Sequence, residues 1–199
     1  MIGSILGDIA GSRFEFSRPS NFNWQTEELF APDCRYTDDT VMTVATKYAI
    51  LMGHSYENAY RTFGKRYPNV GYGAMFQDWL HSSNRRPYQS CGNGAAMRAG
   101  VIGEYFDTLE EVERQAALSA QCTHNHPEGI KGAKAAAVGV FLARIGCSKK
   151  EIQRVIEKRY GYALKAPLVL RRPFSKVRLT CQATMPLAFR CFLESHDYE

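Results

Sequence analysis

Residues 127–143 read PEGIKGAKAAAVGVFLA, and this stretch decides the fold class. Proline suits the first position of a helix, because its fixed φ is already helical and its missing N–H is not needed there. The residues that follow are rich in alanine and glycine, which predicts one long helix. Small side chains let a neighbouring helix approach closely, so we expect this helix to lie at the centre of the fold.

The rest of the chain is dominated by the helical spacing of apolar residues. The pattern predicts capping boxes at Thr108 and Ser148 and helices over 2–13, 39–52, 55–67, 73–82, 95–106, 108–121, 148–160 and 180–193. The sequence predicts long connections at residues 17–36 and 161–179, and the second contains a predicted short extended piece at 168–170. No alternating run is typical of a strand. The sequence therefore predicts an all-α, compact multi-helix domain over residues 1–199.

Composition excludes several classes of protein. The 199 residues are 45% hydrophobic and 23% charged, which is ordinary for a globular domain. Asp8 interrupts the apolar start too early for a signal peptide, and no run of about 20 apolar residues could span a bilayer. We therefore expect no membrane partner. The six scattered cysteines have no zinc-site spacing and predict reduced thiols in a cytoplasmic protein, with Cys91 in a glycine-rich loop.

The net charge of +5 is concentrated between residues 149 and 190. Such a basic region is typical either of a nucleic-acid surface or of the solvated faces of helices. No zinc finger, RNA-binding motif or helix-turn-helix signature accompanies it. We therefore interpret this basic region as the solvated faces of helices and do not expect a nucleic-acid partner.

A pair of adjacent carboxylates is the strongest local signal of chemistry. Residues 36–40 read YTDDT, directly before an apolar helix. Asp38 and Asp39 repel each other unless a positive group lies beside them, and Mg²⁺ prefers carboxylate, hydroxyl and water oxygens. The alternative is that Thr37 or Asp38 is only an N-cap with a negative first turn, which the helix dipole also favours.

Two further acids lie near the N-terminus, where residues 7–15 read GDIAGSRFE. Asp8 interrupts an apolar helix, which is costly unless the carboxylate is paired or caps a neighbouring helix, so we favour a structural role. Glu15 lies at the start of the long connection. From there its carboxylate could reach a metal site, although it could equally be an exposed surface glutamate.

Three other segments could bind a ligand. Residues 90–98 read SCGNGAAMR, a glycine-rich turn before a helix, and backbone N–H groups at such a turn can bind an anion, although Gly-Asn-Gly is also a common turn. His124 or His126, in CTHNHP at 122–127, could bind a metal, a phosphate or a ribose hydroxyl. The alternative there is a helix cap provided by Thr123 or Asn125. Tyr72 could stack on a base or simply pack within its loop.

The order of these motifs is more specific than any one of them. GDxxGxxxE at 7–15, TDDT at 37–40, GNGAAMR at 92–98 and TH at 123–124 resemble the ADP-ribosylglycohydrolase family. The resemblance runs from residue 1 to about residue 145 and becomes looser beyond it. It implies an all-α hydrolase that cleaves the glycosidic bond of an ADP-ribose-bearing substrate. A non-catalytic ADP-ribose or nucleotide binder is the alternative.

The resemblance also implies roles for individual residues. Complete family members hold two Mg²⁺ or Mn²⁺ ions, and the match makes Thr37, Asp38 and Asp39 metal ligands. Asp38, Asp39 and Glu15 match the catalytic acids. The residues that match the ADP-ribose site are Ser90, Cys91, Gly92, Asn93, Gly94, His124 and, more weakly, Tyr72.

One departure from the family pattern affects the expected activity. Family members supply the other half of the metal site from an Asp-x-Asp-Thr run near the C-terminus. The 199 residues contain no such run, and after Asp107 the only aspartate is Asp197. We therefore expect a C-terminally incomplete domain that has little or no hydrolase activity by itself.

Overall fold

The structure, a computed structural model, describes residues 1–15, 23, 26, 28–171 and 179–196. Its described part is helical and contains no strand, only an isolated antiparallel bridge between Gly92 and Thr180. This confirms the all-α prediction. The chain divides into two compact units, Met1–His81 and Ser82–Glu199, here called the N-terminal and C-terminal units. The single domain over 1–199 stays a prediction.

Within its described residues, the N-terminal unit contains four helices and a short 3₁₀ turn at Ser12–Phe14. Its helices are α1 (Ile2–Gly11), α2 (Asp38–Met52), α3 (Tyr56–Arg66) and α4 (Ala74–His81). Helix α2 packs against both α1 and α3. Ser55 caps α3 as predicted, because its side chain accepts a hydrogen bond from the N–H of Asn58. Of the predicted 17–36 connection, residues 28–36 are described and form no helix or strand, and most of the remainder lies outside the described residues.

The C-terminal unit contains seven helices within its described residues. These are α5 (Gly94–Met97), α6 (Gly100–Tyr105), α7 (Leu109–Gln121), α8 (Pro127–Arg144), α9 (Lys149–Tyr160), α10 (Leu168–Arg171) and α11 (Cys181–Glu194). The capping box at Ser148 forms in both directions with Glu151, as predicted. At Thr108 the side chain accepts from the N–H of Glu111, whose carboxylate instead binds Arg114 and Gln115.

Helix α8 lies at the centre of this unit and contacts α5, α6, α7, α9 and α11. Its small residues are required for these contacts. A Cβ added at Gly132 would lie 2.4 Å from the Sγ of Cys181, and one added at Gly139 would lie 2.8 Å from the ring of Phe189. The predicted helix starting with proline is therefore confirmed, and it is central within the C-terminal unit.

Three predicted details of the C-terminal unit are wrong. The helix over 95–106 is interrupted at Arg98 and Ala99, where ψ is close to zero, because the Arg98 side chain is held by α7. The extended piece at 168–170 is helical and begins directly after a proline. Helix α8 is capped by His126, whose Nδ1 accepts from the N–H of Glu128, and not by Thr123 or Asn125.

None of the helices in the described ranges combines the length and the apolar character that a bilayer crossing requires.

Candidate functional site

Asp8 organises the start of α2. Its carboxylate accepts hydrogen bonds from the backbone N–H groups of Thr37 and Thr40, at 2.8 and 3.2 Å, and from both hydroxyls, each at 2.5 Å. These four donors satisfy the carboxylate, and the helix dipole favours a negative charge at this end. The predicted structural role of Asp8, a cap for a neighbouring helix, is therefore what the structure shows.

The adjacent carboxylates begin α2 in the position that the motif predicted. Thr37 is the N-cap, and its Oγ1 accepts from the N–H of Asp39 at 3.3 Å. Asp38 donates its own N–H to the carbonyl of Val70 at 2.9 Å, which places residues 70–72 over the start of the helix. Both carboxylates are half-buried. Among the described residues, neither forms an ion pair with a lysine or arginine.

The acids of this cluster raise one another's pKa. Burial, the charge of Asp38 and then those of Asp8 and Glu15 raise the pKa of Asp39 to about 7. Burial also raises the pKa of Asp38 to about 6, with smaller contributions from Glu15 and Asp8. Burial and then Asp8 raise the pKa of Glu15, although Glu15 is exposed and Arg35 acts in the opposite direction. The ionised pair therefore favours a nearby cation.

The donor atoms fit a hard divalent ion in part. Two carboxylates and one hydroxyl are the oxygen ligands that Mg²⁺ prefers, and Thr37 gives its proton to Asp8, so a lone pair of its Oγ1 can still bind a cation. Within the described ranges, however, no group of three or more His, Cys, Asp or Glu side chains is arranged to hold a metal ion. A metal site at residues 37–39 stays a prediction.

Tyr72 lies beside Asp38 rather than open to a ligand. It is 5% exposed, and its ring packs on that of Phe76 with 5.1 Å between centroids. Its hydroxyl is buried and has no hydrogen-bond partner among the described residues. Burial and the charge of Asp38 raise its pKa, so this hydroxyl is a neutral donor close to the acidic pair. A role for Tyr72 in substrate binding stays a prediction.

The glycine-rich turn is tied to residues about 90 positions later in the chain. The N–H of Asn93 donates to the carbonyl of Leu179 at 2.8 Å, and the Asn93 side chain donates to Thr184 at 3.2 Å. The N–H of Gly92 donates to the hydroxyl of Ser90 at 3.0 Å. Two backbone donors of the turn are therefore used internally, and its anion-binding capacity depends on the others.

Two further cross-links hold the segment before this turn. The N–H of Gln89 donates to the Oδ1 of Asn125 at 2.8 Å, and the N–H of Tyr88 donates to the carbonyl of Thr123 at 3.2 Å. Gln89 has a φ of 55°, a left-handed conformation that is unusual for a side chain of this kind. Asn125 thus positions the turn instead of capping α8.

His124 packs directly on the turn. A Cβ added at Gly94 would lie 3.0 Å from the Nε2 of His124, and one added at Gly92 would lie 3.5 Å away. The imidazole is 6% exposed, and burial together with the charge of Arg98 lowers its pKa to about 3. His124 is therefore a neutral imidazole beside the turn, in the C-terminal unit, where the sequence places Ser90, Cys91, Gly92, Asn93 and Gly94.

A buried arginine, quoted in the sequence motif without a role, supports His124. Arg98 is 1% exposed, and its guanidinium donates to the carbonyl of Ser119 and to the hydroxyl of Thr123, both at 2.8 Å. The same hydroxyl lies 2.8 Å from the Nδ1 of His124. An arginine in an otherwise small and apolar segment was the available signal, since a buried charge needs such partners.

The basic side chains between residues 149 and 190 are partly engaged within the chain. Arg159 donates to the two carboxylate oxygens of Glu113 at 2.7 and 2.8 Å, and Arg190 pairs with Glu194. The side chains of 171–178, which include four of the predicted basic residues, lie outside the described part. The absence of a nucleic-acid partner stays a prediction.

Comparisons with known proteins agree on one family. ADP-ribosylhydrolase ARH3 of Mus musculus is 34% identical over 192 residues, covering 76% of this chain and 50% of the relative. ARH3 of Bos taurus is 33% identical over 189 residues, and that of Homo sapiens 29% over 192, each with the same coverage. The chain thus spans about half the length of the curated relatives that it matches.

A solved structure shows the same fold at low sequence identity. The structure of an ADP-ribosylglycohydrolase-related protein complex superposes with a TM-score of 0.73 at 18% identity, covering 99% of this chain and 75% of its own. The family model of the ADP-ribosylglycohydrolases matches residues 1–199. The match therefore extends past residue 145, beyond which the resemblance of the motifs becomes loose. The chain belongs to the ADP-ribosylglycohydrolase family.

Proposed function

We propose that this protein is a hydrolase, dependent on Mg²⁺ or Mn²⁺, that cleaves the glycosidic bond of ADP-ribose conjugates. The observation that carries this proposal is the pair Asp38 and Asp39. Two half-buried carboxylates begin one helix, and among the described residues no basic side chain compensates their charge. Asp8, which could have been a third ligand, is already satisfied by four hydrogen bonds.

The acids can serve the chemistry directly. Cleavage at the anomeric carbon of a ribose passes through a transition state with oxocarbenium character, which a nearby carboxylate stabilises. Asp39, whose pKa is about 7 in the metal-free chain, is the residue proposed to accept a proton from water. Asp38, with a pKa of about 6, is the more readily ionised of the two and is suited to stabilise positive charge. Glu15 is the third acid proposed to act in catalysis.

Thr37, Asp38 and Asp39 are the residues proposed to hold the ion. A bound divalent ion would orient the ribose hydroxyls and lower the pKa of a water. Asp8 accepts a hydrogen bond from the Thr37 hydroxyl at 2.5 Å and so fixes its orientation. The lone pair of Thr37 Oγ1 that would bind a metal ion is therefore oriented before any ion binds. Binding of two ions, as in complete family members, needs more ligands than these three residues supply.

The C-terminal unit is proposed to bind the ADP-ribose part of the substrate. The backbone donors of Ser90–Gly94 that are not used by Ser90 and Leu179 can face phosphate oxygens, and His124 adds a neutral imidazole. The names of the ARH3 relatives support ADP-ribose as the substrate component.

The 199-residue chain on its own is proposed to be a weak or inactive enzyme. Its sequence contains no Asp-x-Asp-Thr run, and Asp38 and Asp39 supply only part of a ligand shell. No disulfide joins any of its six cysteines, all of which lie in the described part, and this supports a cytoplasmic location.

Isosteric removal of each charge tests the metal site. Calorimetry with MnCl₂ and MgCl₂ should detect a binding event that Asp38→Asn or Asp39→Asn weakens about tenfold or more. Asp78→Asn is the matched control, because Asp78 is an exposed residue of α4 and forms no ion pair among the described residues. Equal binding by all four proteins, or no binding by the unmodified chain, would refute the proposed metal site.

Product analysis tests the reaction separately. The chain would be incubated with ADP-ribosyl-serine peptide, ADP-ribosyl-arginine or O-acetyl-ADP-ribose, with Mg²⁺ or with EDTA, and free ADP-ribose measured by chromatography. We expect slow release that needs the metal and is lost in Asp39→Asn. Release that is rapid, or unchanged in EDTA, would overturn the proposal in its present form.

A non-catalytic ADP-ribose binder is the second candidate function. The observation that favours it is that no three-acid metal group forms among the residues described, whereas the turn and His124 are fully assembled. Such a binder would take up ADP-ribose with an affinity that EDTA does not change. Affinity that rises with Mg²⁺, together with turnover, would exclude it.

A further inference from the structure

We propose that Arg98 and Thr123 are positioning residues that hold His124 neutral with its proton on Nε2, so that this nitrogen donates a hydrogen bond to a phosphate oxygen of the ligand. Ligand binding at this position rests on the function proposed above, whereas the protonation pattern of His124 does not.

Arg98 is the fixed end of this network. It is 1% exposed and lies at the break between α5 and α6, where the backbone leaves the helix. Its Nη2 donates to the carbonyl of Ser119 and to the Oγ1 of Thr123, both at 2.8 Å. A guanidinium has only donors and does not lose its charge in a protein. The Thr123 oxygen must therefore act as the acceptor in this contact.

Thr123 transmits this constraint to His124. With one lone pair of Oγ1 occupied by Arg98, the hydroxyl keeps one proton and one lone pair, and in the proposed pattern the proton is assigned to the Nδ1 of His124, 2.8 Å away. The guanidinium polarises the hydroxyl and makes it a stronger donor. When Nδ1 accepts a hydrogen bond, the single proton of a neutral imidazole resides on Nε2.

Two features keep the imidazole neutral. His124 is buried, and the positive charge of Arg98 lies close by, so protonation would place a second cation in the same low-dielectric region. The resulting pKa of about 3 is consistent with a ring that carries one proton throughout the physiological range.

The Nε2 atom faces the glycine-rich turn. The missing side chain of Gly94 leaves room for it, because an added Cβ there would lie 3.0 Å from Nε2 and 3.2 Å from Cε1, whereas one at Gly92 would be in ordinary contact at 3.5 Å. In the part of the chain that the structure describes, no protein group bonds to Nε2. A neutral donor is therefore presented at the turn, and a phosphate oxygen is an acceptor of matching chemistry.

The protonation pattern can be measured without activity. The chain labelled with ¹⁵N-histidine would be examined by long-range ¹H–¹⁵N NMR at pH 7, and His124→Gln would assign the His124 signals among the five histidines. We expect the Nε2–H form in the unmodified protein. Thr123→Val, which keeps the side-chain volume, should shift His124 toward the Nδ1–H form, and Thr123→Ser should restore the original pattern.

Calorimetry with ADP-ribose and with inorganic pyrophosphate tests the donor role. Thr123→Val should weaken both ligands about tenfold relative to the unmodified chain, and Thr123→Ser should not. An Nδ1–H or cationic His124 in the unmodified protein would overturn the inference. The expected NMR pattern with no binding of either ligand would instead overturn the proposed function and the donor role together, while Arg98 and Thr123 would remain the residues that set the proton.

Discussion

Asp8 and Asp39 carry the same side chain in very different surroundings. Asp8 accepts four hydrogen bonds at the N-terminus of α2, which stabilise its negative charge. Asp39 lies half-buried next to Asp38, and its pKa rises to about 7 because burial and its neighbours oppose ionisation. One carboxylate thus stabilises the helix start, and the other is costly to ionise, a cost that a nearby cation would relieve.

Replacing Asp8 should destabilise the N-terminal unit. In Asp8→Asn the amide offers one acceptor oxygen, and its NH₂ group faces donors that the carboxylate had satisfied. We expect a loss of about 2 kcal/mol in the free energy of unfolding, measured by urea denaturation. Asp78→Asn on the exposed face of α4 is the control and should change stability by less than about 0.5 kcal/mol. If the free energy of unfolding of Asp8→Asn fell by no more than that of the control variant, the capping role of Asp8 would be contradicted.

The pKa of Asp39 predicts a dependence of stability on pH. Its folded value of about 7 exceeds the ordinary value of 3.8, so between these two values the folded state binds more protons than the unfolded state. The free energy of unfolding contributed by this group therefore falls as the pH rises through that window. In EDTA, Asp39→Asn should remove this fall and be more stable than the unmodified chain at pH 8 by about 2 kcal/mol.

Thermal unfolding from pH 5 to pH 8 measures this effect. Subtracting the curve of Asp39→Asn from that of the unmodified protein gives the titration of Asp39 together with its coupling to the neighbouring acids. Addition of Mg²⁺ at pH 8 should raise the melting temperature of the unmodified chain only. Parallel curves for the two proteins across the whole range would show that Asp39 titrates normally.

At the scale of the secondary-structure element, two helices can approach closely only where a glycine has no side chain between them. A Cβ added at Gly103 of α6 would lie 1.9 Å from the carbonyl oxygen of Ala137 in α8 and 2.8 Å from the N–H nitrogen of Phe141. Both obstacles are backbone atoms of the central helix, so they cannot rotate away. The contact between α6 and α8 therefore requires glycine at this position.

Gly103→Ala should cost about 3 kcal/mol of stability or prevent folding, since backbone must move to admit the methyl group. Gly3→Ala is the matched control, because an added Cβ at Gly3 in α1 meets nothing within 4 Å. Alanine there should be neutral or stabilise by up to about 1 kcal/mol. Chemical denaturation of both variants distinguishes the two positions, and equal stability would contradict the close packing of α6 on α8.

At the scale of the whole molecule, helices α1 and α8 differ strongly in how far they are buried. In the C-terminal unit, α8 has buried residues at nine of its 18 positions and contacts five other helices. In the N-terminal unit, α1 buries only Ala10. The free energy needed to expose backbone amides should therefore vary strongly along the chain.

Native-state hydrogen exchange tests this difference. Amides of α8 should exchange only through global opening of their unit, with roughly the full free energy of unfolding. Amides in the first two turns of α1 should exchange through local opening at less than about half of that value. Similar protection in α1 and α8 would show that burial of side chains does not govern the stability of these helices.

Local chemistry explains why so much could be predicted from the amino-acid sequence. Several helix signals act within one helical turn, so their effects can be read from neighbouring residues. They are the proline at the start of α8, the Ser55 cap and the Ser148–Glu151 capping box. The order of four short motifs indicated the family, which the comparisons confirmed over residues 1–199. Helical periodicity predicted an all-α fold for the same reason.

Contacts between distant positions were decided only by the folded chain. Asp8 meets Thr37 across 29 positions, Asn93 meets Thr184 across 91, and Arg98 breaks a helix to reach Thr123. No periodicity or cap encodes such pairs, because hydrogen-bond partners and burial depend on which segments pack together. The raised pKa of Asp39 and the neutral state of His124 have the same origin, since both follow from desolvation and from charges brought near by tertiary structure.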